Sequence, residues 1–334
     1  MKIFFAFVLV LLVGCSSDLD IMQDYPSVPV VYAVINPYDS VHYVRVGKTF
    51  KIHKKEDFLT LNNDSLQYDN VEVFLYGKVG DSITWVQQFN ETRMDKEDGF
   101  FKVDDFQVFQ LDNHLPIKWS GQDRYYYGKP DIDSLILEVR IHDMNLITRA
   151  AARVLWATKI IAYKSKNLFF VYGSKPSVFA LPSTGETQGR EFSVVYRQVE
   201  LSVHFKEYYE NDSAVKKISW MRNTGWDDNA YFIYPERFFD PMMSLLPSND
   251  TILARRLDSI DITLITPSRF FNNYWFIREN WDEQDRPPYS NFDNSYGMFI
   301  TIAKGELTGM TLNWQSLDSL CNGYDYKKMK FMKW

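Results

Sequence analysis

From Ser27 onward, the apolar residues fall into short β-branched and aromatic runs separated by Asp, Asn, Ser and Gly, and this segmentation limits the fold most. Val28-Pro-Val-Val-Tyr-Ala-Val-Ile, the turn residues Asn36-Pro-Tyr-Asp-Ser and Val41-His-Tyr-Val-Arg-Val predict a hairpin. Val71-Glu-Val-Phe-Leu-Tyr, Ile83-Thr-Trp-Val-Gln-Gln-Phe, Phe100-Phe-Lys-Val and Leu135-Ile-Leu-Glu-Val-Arg-Ile continue the pattern. No helical period separates these runs, so a parallel α/β sheet is disfavoured. An Ig-like antiparallel β-sandwich over 27–150 is expected instead.

The second half, 151–322, reads as another β-rich domain, so the whole chain is expected to be mainly β, with two sandwich-like domains. Its strand signals are Arg153-Val-Leu-Trp-Ala-Thr-Lys-Ile-Ile-Ala, Leu168 to Tyr172, Phe192 to Tyr196, Val199 to Phe205, Ile260 to Ile265, Gly297 to Ile302 and Met310 to Trp314. Two helices interrupt them, one at 235–246 and one at 267–280. For the second, Thr266 is the expected N-cap and Pro267 the first helical residue, with Phe270, Phe271, Tyr274 and Ile277 at helical spacing. Residues 323–334, Lys-rich, are expected to fray as a basic tail.

The N-terminus carries an address. Lys2 precedes an unbroken apolar run from Ile3 to Val13, the charged and apolar regions of a secretory signal peptide over 1–14, too short to cross a bilayer. Leu12-Val-Gly-Cys15 resembles a bacterial lipobox, which implies lipidation at Cys15, stable outer-membrane anchoring and a polar tether over 15–26. Asp18 and Asp20 resemble the export signal of surface lipoproteins of the Bacteroidota, while a solvated periplasmic linker accounts for them equally, so the side of the membrane stays open. With Cys15 acylated, Cys321 is the remaining cysteine, no intramolecular disulfide can form, and a buried structural thiol is expected there.

Motifs for chemistry are sparse. A net charge of -6, with both signs interspersed, gives no footprint for a nucleic-acid backbone. His42, His53, His114, His142 and His204 fall in no zinc-binding spacing, and nucleophile-elbow, Walker and GxGxxG patterns are absent from the sequence, so neither metal nor cofactor is expected. Asp104-Asp105, Asp227-Asp228 and the acids after Trp281 speak for a hydrolase only weakly, because solvated loops produce the same runs.

Asp followed by Ser or Thr and an aliphatic residue occurs eight times, against about one expected from average composition. The pattern resembles an O-glycosylation acceptor on exported Bacteroidota proteins and makes Ser40, Ser65, Ser82, Ser134, Ser213, Thr251, Ser259 and Ser319 candidates. An Asx-type turn entering a strand explains the same triplets. Aromatics make up 16% of the chain, and Trp226, Tyr231, Trp281 and Tyr289 in loop-like stretches are candidate contact residues.

The lipobox, the opening strand Pro29-Val-Val-Tyr-Ala-Val-Ile-Asn-Pro with Tyr43-Val-Arg-Val, and a C-terminal block extend through most of the chain. That block holds Thr266-Pro-Ser, Phe271, Tyr274, Pro288-Tyr-Ser-Asn and Asn294-Ser-Tyr-Gly-Met-Phe. Together they resemble a family of outer-membrane lipoproteins of the Bacteroidota, a domain of unknown function often encoded beside TonB-dependent transporters. This chain departs from the family's Gly-rich ending at Ser295 and Met298. The resemblance implies a non-enzymatic binding or accessory subunit with a β-barrel receptor as partner; it carries over no catalytic residue. A surface glycan-binding module is the alternative.

Overall fold

A computed structural model describes residues 27–49, 66–95, 106–121, 126–158, 160–162, 167–168, 177–180, 197–223, 230–246, 249–280 and 289–333. The signal peptide, Cys15 and its tether, and the expected strands at 100–103 and 192–196 lie outside the described residues. The fold is mainly β, as the segmentation implies.

The expected hairpin is β1 (Pro29–Ile35) and β2 (His42–Lys48). Its turn is closed by the Asp39 amide donating to the Asn36 carbonyl at 3.0 Å and the Asn36 side-chain amide donating to the Asp39 carboxylate at 2.7 Å. The first half continues with β3 (Val71–Val79), β4 (Ser82–Gln88), β5 (Asn90–Met94), β6 (Phe106–Leu111), β7 (Trp119–Ser120), β8 (Tyr126–Pro130), β9 (Ser134–Ile141) and β10 (Leu146–Arg153). Four short strands follow, β11 (Ala157–Thr158), β12 (Ile161–Ala162), β13 (Asn167–Leu168) and β14 (Ser177–Ala180). The second half is built on β15 (Gln198–Tyr208), β16 (Ser213–Asn223), β17 (Ala230–Ile233), β18 (Ala254–Pro267) and β19 (Tyr296–Leu312), with helices α1 (Pro235–Leu245), α2 (Arg269–Asn280) and α3 (Trp314–Asn322).

One large sheet runs β16-β15-β18-β19-β1-β2-β6-β5, and a four-stranded sheet runs β10-β9-β3-β4. The two face each other in the first half. Val31, Ala33, Ile35, Val44, Val46, Phe109 and Phe299 from the large sheet meet Val73, Leu75, Leu135, Leu137, Val139 and Ile141 from the small one, every second residue along each strand pointing inward.

Antiparallel pairing holds within the first half but not at β19, which pairs in parallel with β1 and β13. Where the sequence suggests two strands, β19 is one 17-residue strand. Gly305 pairs with Leu264, and Gly309 adopts φ +68 where the β18 register shifts, so the strand continues through both. The large sheet therefore crosses residue 150, whereas the cores stay distinct: one is drawn from Val31–Val154 with Phe292 and Phe299, the other from Ile160 onward.

In the second half, Val199, Leu201, Val203 and Phe205 of β15 and Ile260, Ile262 and Leu264 of β18 pack against Phe238, Phe239 and Met242 of α1. Two expectations from the sequence fail in this half. Thr266 and Pro267 remain in β18, paired with Ala303 and Ile302, so α2 starts at Arg269 and Thr266 is not its cap. The expected 323–334 tail does not fray over its described residues, 323–333: Tyr326–Met329 form a 3-10 turn, Met329 and Phe331 are buried, and Phe331 bridges Arg255. Its lysines mask an apolar pair that inserts into the core. The helix α3 has no sequence expectation behind it; the Asn313 side chain caps it by accepting from the Ser316 amide at 2.8 Å.

Candidate functional site

The predicted site residues scatter. Cys15, Ser65, Trp226 and Trp281, with the acidic pairs at 104–105 and 227–228, lie outside the described residues. Tyr231 falls in β17. Tyr289 is half-buried, stacked on Phe270 at 4.4 Å between ring centroids, and burial pushes its phenol pKa up. Its ring is thus engaged in packing beside α2.

Among the hydroxyl candidates, Ser40 and Ser82 are exposed beside hairpin turns, and Thr251 is exposed in a turn whose Asx acceptor is Asn249. Ser134 and Ser213 are half-buried at strand starts; the Ser213 amide donates to the adjacent Asp212 carboxylate at 2.6 Å, one residue on and not the two of an Asx turn. Ser259 lies inside β18, and Ser319 inside α3 with its hydroxyl donating to the Gln315 carbonyl at 3.0 Å, so the turn reading fails at both. Exposure leaves Ser40, Ser82 and Thr251 as the accessible acceptors among the described residues.

The C-terminal motif block has a structural role that sequence reading missed. The Asn291 amide donates to the Phe299 carbonyl at 2.7 Å while its oxygen accepts from the Phe299 amide at 2.9 Å, imitating a neighbouring strand. Asp293 accepts from the Arg149 amide at 2.8 Å and the Thr148 hydroxyl at 3.0 Å, and the Asn294 side chain donates to the Ile147 carbonyl at 3.1 Å. Loop 289–295 therefore occupies the free edge of β10 and ties it to β19.

Two surfaces stand out on the sandwich. The solvent face of β19-β1-β2 carries Tyr32, Val34, Tyr43 and Tyr296, 52%, 53%, 41% and 46% exposed. Pairing makes them neighbours: Val30 lies opposite Tyr296, and Tyr32 opposite both Met298 and Arg45. Beside them Val30, Tyr32, Arg45, Gly47, Lys48, Thr49 and Leu66 line a groove of about 390 Å³. A contiguous apolar patch with basic groups at its margin is the usual sign of an interaction surface.

The solvent face of β10-β9-β3 carries a charged cluster, with exposed Ile147 opposite Arg140. Glu138, its side chain only 3% exposed, receives Arg140 Nε at 2.7 Å, Arg149 Nε at 2.5 Å and the Tyr76 hydroxyl at 3.2 Å. The Arg140 guanidinium lies 4.5 Å over the Phe74 ring. Burial pushes the Glu138 pKa up, but the hydrogen bonds and charges of Arg149 and Arg140 outweigh it and hold the carboxyl below its ordinary value. A depressed folded-state value stabilises above the unfolded value of about 4.3 and is lost as pH falls through the folded one. Glu138→Gln is therefore expected to lower the urea midpoint at pH 7, with the gap to wild type closing toward pH 3. A gap that persists in acid would show that packing, and not the charge, is responsible.

On the second half, His204 Nε2 meets Asp261 Oδ2 at 2.8 Å, and Asp261 Oδ1 accepts from the Gly309 amide at 2.9 Å. This pair braces the bulge in β19. His42 is buried in the sandwich, and burial lowers its pKa, disfavouring the charged form. Among the described residues no group of three His, Cys, Asp or Glu is placed to hold a metal ion. Cys321 is half-buried, and burial pushes its thiol pKa up, opposite to what a nucleophile needs.

No family model matches the chain, and no curated protein matches it. Two solvent faces therefore stand out among the described residues: an aromatic one with a basic margin, and one built around paired guanidiniums.

Proposed function

We propose that the protein is an outer-membrane lipoprotein, anchored through Cys15, that serves as a non-enzymatic accessory or binding subunit of a TonB-dependent transporter or another envelope complex and docks through the β19-β1-β2 face. The observation that carries this reading is the set of four large apolar side chains left on that face of a well-packed sandwich. Tyr supplies broad apolar area at low entropic cost and keeps a hydroxyl for the wet rim, as interface hot spots do.

Anchoring favours a partner in the same membrane. Fully extended, the stretch from Cys15 to Pro29 spans at most about 50 Å, so β1 stays close to the bilayer. The local concentration of a membrane partner is then high enough for a modest interface to be occupied.

The test is a mild-detergent pull-down from outer membranes with a tag carried on a flexible linker after Trp334, beside Cys15→Ala and a Tyr32→Glu/Tyr43→Glu double variant. Recovery of a β-barrel receptor with the wild-type chain is expected to fall at least tenfold in the double variant, with the melting temperature unchanged. Recovery of the lipoprotein alone, in crosslinked trials as well, would overturn the accessory role.

A further inference from the structure

The β10-β9-β3 face carries more positive charge than its own stability requires. One buried carboxylate is satisfied by one bidentate guanidinium, yet Glu138 holds two, with a tyrosine hydroxyl in addition. Arg149 spends its Nε on Glu138 and is 55% exposed, and its Nη groups meet no protein acceptor among the described residues. Strand register places Arg149 opposite Glu138 and Glu138 opposite Phe74, while Arg153 extends the line two side-chain positions along β10, about 13 Å from Arg149.

The remaining acids nearby are already engaged, Glu72 with His142 at 2.9 Å, Asp81 with Lys78 at 3.3 Å, and Asp293 with the Arg149 amide at 2.8 Å and the Thr148 hydroxyl at 3.0 Å. Glu138 and the Phe74 ring lock the arginine rotamers before any ligand arrives, which removes much of the ordering cost of binding. Half-exposed Tyr76 and Ile136 and exposed Gln88, Val86 and Ile147 lie beside the guanidiniums. A small anion would be held weakly there, while a polymer repeating its charge along the strands would engage several cations at once.

We infer that this face binds an acidic polysaccharide, whose carboxylate or sulfate groups sit on the Arg140 and Arg149 guanidiniums and whose sugar rings lie over Tyr76. The chain as a whole is acidic, at -6, so a general affinity for polyanions is opposed by its own field and binding must come from this local cluster. The inference does not depend on the docking face: the two lie on different sheets of the sandwich.

The experiment is affinity electrophoresis and titration calorimetry of the purified full chain in detergent at 0.15 M salt against polygalacturonate, dextran sulfate, neutral dextran and polyglutamate. Retention by polygalacturonate or dextran sulfate, whichever carries the preferred anion, and none by neutral dextran is expected. Arg149→Gln and Arg140→Gln should each weaken binding about tenfold, while Lys216→Gln/Lys217→Gln on β16 should leave it unchanged. Arg149→Lys, which keeps the charge but loses the fork, should fall between wild type and Arg149→Gln, and melting curves confirm folding. No retention, retention indifferent to both arginine variants, or equal retention by polyglutamate would each overturn the inference.

Discussion

Gly297→Ala is expected to cost on the order of 3 kcal/mol or more, because overpacking and a strained backbone add at this position. Gly297 holds φ +121, a region open to glycine, and a Cβ built on it would stand 1.8 Å from the Val31 carbonyl oxygen and 2.8 Å from its nitrogen. Neither obstacle is a flexible side chain. Both belong to β1, whose parallel pairing with β19 joins the opening hairpin to the C-terminal half. Relieving the clash requires the two strands to separate where Asn291 and loop 289–295 already fix β19 from the other side. Gly121→Ala isolates the backbone component: φ there is +72 with nothing within 4 Å of the added Cβ, so about 1 kcal/mol is expected. Urea unfolding of both variants decides the matter. Equal losses would mean that β1 and β19 yield freely and that the seam is not a rigid joint.

The same seam shows how far the sequence could be read. The hairpin β1-β2 and strands β3, β9 and β15 were legible because β-branched and aromatic residues cluster between turn formers. The partner of β1 was not: nothing in Pro29–Ile35 points to Tyr296–Thr301, and a parallel pair more than two hundred and fifty positions apart leaves no local mark. Strand β16 was missed because it is an edge, where Lys216, Lys217 and Arg222 suit solvent and guard against further pairing while breaking the apolar pattern. The tail misled in the same way, with its lysines outside and Met329 and Phe331 inside.

Of the surfaces, the aromatic one was half-legible. Val28–Ile35 is apolar on both faces, which sequence alone reads as a strand buried on both sides; the structure covers the Val31, Ala33 and Ile35 side and leaves Tyr32 and Val34 in solvent. The arginine site was hidden. Glu138 and Arg140 in Leu135-Ile-Leu-Glu-Val-Arg-Ile look like ordinary outward polar positions, and only the register that sets Arg149 opposite Glu138 turns them into a cluster. Composition points to the loop aromatics, yet Tyr289 is packed on Phe270, and the exposed aromatic residues of the sandwich are on strands.

Arg255→Ala is expected to cost about 3–5 kcal/mol, the usual loss when one member of a buried ion pair is removed. Arg255 and Glu207 are both buried, with Nε to Oε1 at 2.9 Å, and the guanidinium also donates to the Met329 carbonyl at 2.8 Å. The backbone joins in: the Arg255 amide donates to the Lys330 carbonyl at 2.8 Å, and the Met332 amide to the Arg255 carbonyl at 2.9 Å. Lys330, at φ +57, bends the chain so that Phe331 meets Phe205 edge-on at 5.8 Å, and its Nζ donates to the Ile252 carbonyl at 2.7 Å. Tyr326 packs on Phe239 with its hydroxyl donating to Asp240, and burial followed by that carboxylate pushes its pKa to about 12. Removing the guanidinium strands the Glu207 carboxylate, left with the Tyr209 hydroxyl at 2.7 Å, and frees the tail in one step. Exchange protection at the Met332 amide should therefore collapse with the urea midpoint. An Arg255→Met/Glu207→Gln pair, which buries no unpaired charge, should recover much of the midpoint without restoring that protection. If the double variant regained protection as well, shape rather than the guanidinium would be holding the tail, and the ion pair would be incidental to it.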